Sequence, residues 1–169
     1  TLLALVALAG LSAAPGALAQ ESSILVQCPD TTVEHPAGGD AIKCLSLGAG
    51  DGRVTMADGT PLYVFGFHEV GQDVLPGDIV TPDSPDYPGF VMQNGILSAN
   101  SPAPTIIADG DNELFLTLSN VGMVMRPDLF DSHSIHWHGF PQAATVFDGE
   151  PEASLGTTAG ASFTYYYNV

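Results

Sequence analysis

The sequence predicts an all-β domain, a β-sandwich or Greek-key barrel. Three observations lead there. The length, 169 residues, suits one domain with a real core and an appendage. The 19 glycines and 13 prolines break the chain into short apolar runs, several of which alternate with period two. Once an apolar leader is set aside, no segment has a convincing helical apolar period.

The leader is residues 1–19, which carry no charge. Leu2 to Leu11 form an apolar run, Pro15 and Gly16 break it, and Ala17-Leu18-Ala19 gives a small-x-small end. That is the layout of a signal-peptide apolar region and its cleavage site. The run falls short of the roughly 20 apolar residues that span a bilayer, so no membrane insertion is expected after cleavage. Residue 1 is Thr and the usual basic start is missing, so the leader is expected to be partial. Export to an extracellular or periplasmic space follows. In such an oxidising compartment Cys28 and Cys44, the only cysteines, read as a disulfide. Its loop would be worth roughly 3 kcal/mol on the chain-entropy model. Their spacing fits no zinc pattern.

Residues 20–53 are mixed and Gly-rich and read as an N-terminal extension pinned by that disulfide. The domain proper is expected over 54–169. Residues 54–67 read as a hairpin about the Asp58-Gly59 turn. Residues 68–90 hold Pro76, Pro82, Pro85 and Pro88 among Asp73, Asp78, Asp83 and Asp86, which reads as a surface loop. Its carboxylates could serve calcium, but their spacing matches no calcium loop. Asp109-Gly110-Asp111 is a turn into the strand Asn112 to Asn120. There Leu114, Leu116 and Leu118 face one way and Phe115 and Thr117 the other, as in a half-buried strand. His133 to Phe140 reads as a further strand, with Ile135 and Trp137 on one face. Ser162 to Val169 is another, rich in aromatic and β-branched residues. Val169 closes it with no turn behind, so the domain is expected to be incomplete at its C-terminus.

Charge excludes some partners. Asp and Glu number 19 against 3 Lys and Arg, a formal net charge of −16. Such a surface repels nucleic-acid phosphates and anionic lipid headgroups. It favours solubility and can attract cations.

The residues that carry chemistry lie in Ile135-His136-Trp137-His138-Gly139-Phe140. Side chains alternate on a strand, so His136 and His138 project from one face, their backbone sites about 7 Å apart. Two imidazoles at that spacing can serve one metal or two neighbouring metals, and imidazole suits copper, zinc, iron and nickel. An isolated His-x-His is also what two ordinary histidines would give. His133 has the wrong offset for the pair and reads as a residue behind the site or on the surface. His35 and His68 read as ordinary loop residues. Met123 and Met125 read as core filler.

Context extends this motif. Pro102-Ala103-Pro104-Thr105-Ile106 with Asp109-Gly110-Asp111, then Leu114 to Asn120, then Ile135 to Phe140, then Phe147-Asp148-Gly149, then Ala159-Gly160 with Phe163-Thr164-Tyr165 follow one another in order. This series resembles the first domain of multicopper oxidases, the laccase and bilirubin-oxidase group. The resemblance implies a Greek-key β-sandwich of the cupredoxin type. It implies a secreted oxidase whose copper complement is a trinuclear cluster plus a type 1 copper. Such an enzyme couples one-electron oxidation of a small reductant, phenol-like or a metal ion, to reduction of dioxygen to water. It implies that His136 binds the type 2 copper and His138 one of the type 3 pair. Asp148 aligns with a carboxylate that relays protons, although Asp148-Gly149 is also an ordinary turn. The remaining ligands would come from further cupredoxin domains of the same chain or of a homotrimer, so this chain alone is expected to be inactive. Three other readings stay open: a copper nitrite reductase-like domain, a non-enzymatic cupredoxin that binds or carries copper, and a structural β-sandwich with incidental histidines.

Overall fold

The structure, a computed structural model, describes residues 28–70, 84–139, 144–150 and 152–169. The expected leader, most of the Pro/Asp-rich loop and Phe140 lie outside the described residues. Four strands form one open sheet: β1 (Ile42–Thr55), β2 (Pro61–Glu69), β3 (Glu113–Gly122) and β4 (Ser162–Asn168). Their order is β2-β1-β3-β4. β1–β2 and β3–β4 are antiparallel, and β1–β3 is parallel. The predicted all-β class holds, as an open mixed sheet with one short helix, α1 (Tyr87–Gly95). Among the described residues no helix is long and apolar enough to cross a membrane.

The hairpin forms as its turn chemistry requires. Asp58 Oδ1 accepts the Thr60 N–H at 2.9 Å, and Gly59 takes φ 85°, which a side chain would resist. Its first strand starts earlier than the sequence suggests. Ile42 to Arg53, read as part of an extension, is the inner strand β1. Its glycines misled because they look like linker, yet they mark close approach of neighbouring groups. A Cβ at Gly48 would lie 2.1 Å from His68 Cε1, and one at Gly52 would lie 2.4 Å from the Ala99 carbonyl oxygen.

The helix is a second difference. Residues 87–90, expected in a loop, open α1. Pro88 sits in its first turn, where the missing N–H costs nothing. Its buried positions are Tyr87, Val91 and Gly95, spaced by four. Glycine at one of those three positions erases the apolar period that would have announced a helix. His68, expected in a loop, lies in β2 beneath this helix.

Strand β3 is buried on both faces, not half-buried. One face carries Leu114, Leu116 and Leu118 beside Leu47, Ala49, Tyr165 and Tyr167, and Ile135, Trp137 and Ile106 close over it. The other face carries Thr117 and Ser119, whose hydroxyls pair with Thr164 at 2.9 Å and Ser162 at 2.7 Å. These cross-strand pairs satisfy polar groups that burial would otherwise penalise. Helix α1 covers part of this second face, its Tyr87 and Val91 clustering with Val121 of β3.

The N-terminal turn is tied to the sheet twice. The Cys28–Cys44 disulfide is formed, with a Cα–Cα distance of 5.7 Å. Glu113, 3% exposed, accepts hydrogen bonds from the Thr32 hydroxyl and from Tyr166 at 2.6 Å. Burial pushes the Glu113 carboxyl up, but these hydrogen bonds and nearby His35 outweigh it and hold the group below its usual range. Donating a hydrogen bond to this carboxylate pushes the Tyr166 phenol up to about 12.

His68 is 6% exposed, wedged between Gly48 and Gly95, and among the described residues neither ring nitrogen has a hydrogen-bond partner. Burial pushes its pKa below the ordinary 6.5. The unfolded chain therefore takes up a proton that the folded chain refuses. The associated stability is present above pH 6.5 and is lost as the pH falls below that value toward the folded one. His133 is shifted the same way by burial, against a smaller opposing pull from Asp131. Denaturation midpoints are expected to fall with acidification below pH 6.5, and less steeply in His68→Phe. An equal fall in both proteins would refute the assignment to His68.

Candidate metal site

The His segment is not a strand. Residues 134–139 join no ladder, and only His133 pairs, with Thr157. Its alternation nevertheless holds. Ile135 and Trp137 pack onto the sheet core, and His136 and His138 project away from it. Their ring centroids are 5.0 Å apart at 71°.

What replaces the ladder is a set of anchors from other elements. Asn120, 2% exposed near the end of β3, donates its two amide protons to the carbonyls of Asp131 and Thr157, both at 2.9 Å. Its Oδ1 accepts the Gly122 N–H at 2.9 Å. The His133 and Thr157 backbones then exchange hydrogen bonds at 3.0 and 2.7 Å. Further along, the Ile135 N–H donates to the Tyr165 hydroxyl at 3.2 Å, and the Ser134 hydroxyl donates to the Gly149 carbonyl at 2.6 Å. Trp137 meets Tyr167 edge-on at 5.9 Å and 87°. Each anchor is a buried or half-buried polar bond or an aromatic contact, so the segment has little freedom to turn its rings.

Asp51 fixes the approach to this segment. It is fully buried, and its carboxylate accepts the backbone N–H of Val124 at 3.1 Å and of Met125 at 2.7 Å, with the Tyr63 hydroxyl at 3.3 Å. These donors hold the chain as it leaves β3. Met123 is buried there, as core filler should be.

The Asp148 turn meets the His segment from behind. The Asp148 carbonyl oxygen lies 2.8 Å from His136 Nδ1. A carbonyl can only accept, so Nδ1 carries a proton, and in the neutral ring Nε2 then holds the lone pair. The Asp148 carboxylate is 3.7 Å from the same Nδ1, and Glu150 Oε1 is 3.4 Å from Nε2. The side chains of His136, Asp148 and Glu150 are 30%, 28% and 55% exposed. His133 turns inward, its ring 6.4 Å from that of Phe67, behind the pair.

Of the residues singled out from sequence, His136, His138 and Asp148 come together; His35, His68, Met123 and Met125 do not join them. Sequence reasoning missed Asn120, Asp51 and Glu150. Asn120 ends a strand pattern and Asp51 sits in a Gly-Asp-Gly run, so neither carries a local signal. Glu150 follows the turn dipeptide and was the one open to notice.

The donor set fits copper in kind. Imidazole nitrogens suit it, and a ligating His needs its other nitrogen held by an acceptor, which the Asp148 carbonyl supplies. Among the described residues no group of three or more His, Cys, Asp or Glu stands ready to hold a metal ion.

Gly149 permits the arrangement. It takes φ 78°, and a Cβ there would lie 1.8 Å from the Ile135 carbonyl oxygen and 2.9 Å from the His136 nitrogen. Gly149→Ala is expected to push the turn off the His segment. Broadened or shifted His136 and His138 imidazole resonances and a lower thermal midpoint would report this; unchanged spectra would refute it.

Three comparisons bear on identity. No curated protein matches the sequence. Solved structures that resemble the chain include a multicopper oxidase from Pseudomonas thermotolerans, at 16% identity and TM-score 0.48 over 75% of this chain and 22% of that one. Another is a multicopper oxidase from Campylobacter jejuni, described as a metallo-oxidase, at 17% identity and TM-score 0.45 over 86% and 21%. A third is a laccase from Pediococcus acidilactici, at 16% identity and TM-score 0.47 over 86% and 23%. The chain thus spans about a fifth of the length of these structures. The family model for multicopper oxidases matches residues 88–169, the stretch that holds both histidines and the Asp148 turn, and marks that stretch as a multicopper oxidase domain.

Proposed function

We propose that the chain is the first cupredoxin domain of a secreted multicopper oxidase, and that His136 and His138 are its contribution to a trinuclear copper centre. The observation that carries this is the His136 ring, tied at Nδ1 to the Asp148 carbonyl and 5.0 Å from the His138 ring. That tie fixes which nitrogen is free for a metal. Copper bound there would supply one-electron redox chemistry coupling a small reductant, phenol-like or a metal ion, to reduction of dioxygen to water.

The chain's own residues have narrower tasks. Trp137 and Ile135, clamped in the core, set the direction of both imidazoles. Asp148 does two things: its carbonyl holds the His136 proton in place, and its half-buried carboxylate stands where it could take up or release protons beside the site. The remaining ligands, and the type 1 copper through which the reductant would deliver electrons, belong on this reading to other cupredoxin domains of the same polypeptide or of a homotrimer. The disulfide and the expected leader support an oxidising, exported location.

The test is copper binding by the chain. Isothermal titration with Cu(II) and paramagnetic resonance are expected to show nitrogen ligation that weakens in His136→Ala and again in the double variant with His138→Ala. Equal affinity in wild type and double variant would overturn the proposal.

A further inference from the structure

Helix α1 rests on few supports. It spans nine residues. Isolated helices shorter than ~12–15 residues are marginal in water, so α1 depends on its packing. Its Tyr87 and Val91 cluster with Val70 and Val121, and the Tyr87 hydroxyl lies 3.4 Å from Ser119 Oγ. At the other end of the helix the support is His68. Its residue stands opposite Gly48 in the β1–β2 ladder. A Cβ at Gly48 would lie 2.1 Å from the ring's Cε1, and one at Gly95 would lie 3.3 Å from its Nε2. The imidazole thus fills the space between the inner strand and the last residue of the helix.

Among the described residues, no partner awaits a charge there. Both ring nitrogens are buried without a hydrogen bond, so Glu69, next on β2, reaches neither. On β1 the Asp51 carboxylate is taken by the Val124 and Met125 N–H groups. On β3 the titratable side chain is Glu113, held at the far end by Thr32 and Tyr166. Helix α1 offers only the Tyr87 phenol. The negative end of the helix dipole would draw a cation, but none of its carbonyls bonds the ring. Beside the ring lies a different environment. A polar cavity of about 400 Å³ is lined by Glu69, Asn94, Ser98, Asn100 and Thr105 together with His68.

We propose that His68 is an acid-sensitive latch for helix α1. The neutral ring sits in the dry wedge between Gly48 and Gly95 and holds the helix on the sheet. The protonated ring leaves the wedge for the polar cavity, and the helix lifts while β1, β3 and β4 stay paired. The ring has two places, one suited to each charge state, which is what a switch requires. Burial holds the folded ring below the ordinary 6.5, so the latch opens as the pH falls below that value.

The experiment is amide hydrogen exchange on the full chain, corrected for intrinsic rates, with β3 amides as the reference for global opening. The α1 amides are expected to open more often than those of Leu116 and Leu118 at every pH. Between about pH 7.5 and about pH 5.5 their opening constant is expected to rise about tenfold, one decade for the unit below the ordinary 6.5. His68→Gln is expected to abolish the rise, and His133→Gln to keep it. If α1 and β3 open together at both pH values, the helix has no separate opening and the proposal falls. It also falls if α1 opens alone but without pH dependence, or if the rise survives in His68→Gln. Should His68→Gln not fold, the wild type decides. The His68 ring and α1 amide resonances must then titrate with one midpoint below pH 6.5, and separate midpoints overturn the latch.

Discussion

The rest of the site depends on the buried side chain of Asn120. A carboxamide has two donors and one acceptor group, and here all are used, on Asp131, Thr157 and Gly122. The alternative in a dry interior is an unsatisfied amide, which costs about 1–3 kcal/mol per group. That penalty gives the loop after β3 and the stretch before β4 one shared position. The His133–Thr157 pair is then a consequence, since the two backbones are already side by side. From there the chain can run on to His136 with no ladder of its own.

A segment without a ladder normally loses the strict alternation that a sheet imposes. Here packing restores it. Ile135 and Trp137 fill the gap above Leu114, Leu116 and Tyr167, and two side chains anchored inward force those between and beyond them outward. Tyr165 and Tyr167 matter twice over. Their rings build the core surface that receives Ile135 and Trp137, and the Tyr165 hydroxyl accepts the Ile135 N–H that no strand claims. Burial pushes both phenols above their ordinary value, so they stay protonated across the physiological range.

Parts of this were legible in the sequence. The Asp58-Gly59 hairpin, the β3 alternation and the aromatic β4 follow from local rules of turn chemistry and period two. So does the sidedness of His136 and His138, because alternation needs only extended backbone. What was hidden depends on contacts between distant residues. β1 looks like a linker because its glycines are spaces for His68 and Ala99, which lie elsewhere in the chain. Helix α1 has no apolar period because Gly95 fills one of its buried positions. Asp51 and Asn120 are ordinary polar residues until burial and long-range backbone donors or carbonyls give them work. Burial of β3 on both faces was invisible for the same reason: Thr117 and Ser119 read as a wet face, and only their partners Thr164 and Ser162 make a dry one possible.

The constraints on the two histidines are unevenly distributed, and this bears on what they can do. Behind the rings lie Trp137, Ile135, the Asp148 carbonyl and the core. In front, His136 is almost a third exposed with the Glu150 carboxylate beside its outer nitrogen, and among the described residues no group of three or more donors stands ready for a metal. A site enclosed on every side by its own chain would fix a metal's geometry but admit nothing else. A pair fixed from behind and open in front loses little entropy when further groups arrive, because the rings need not be reordered. Gly149 makes that asymmetry possible, since only a residue without a side chain lets the turn press so close against the His136 backbone. The orientation of the donors is therefore written into this chain, and their enclosure is left to whatever meets the open face.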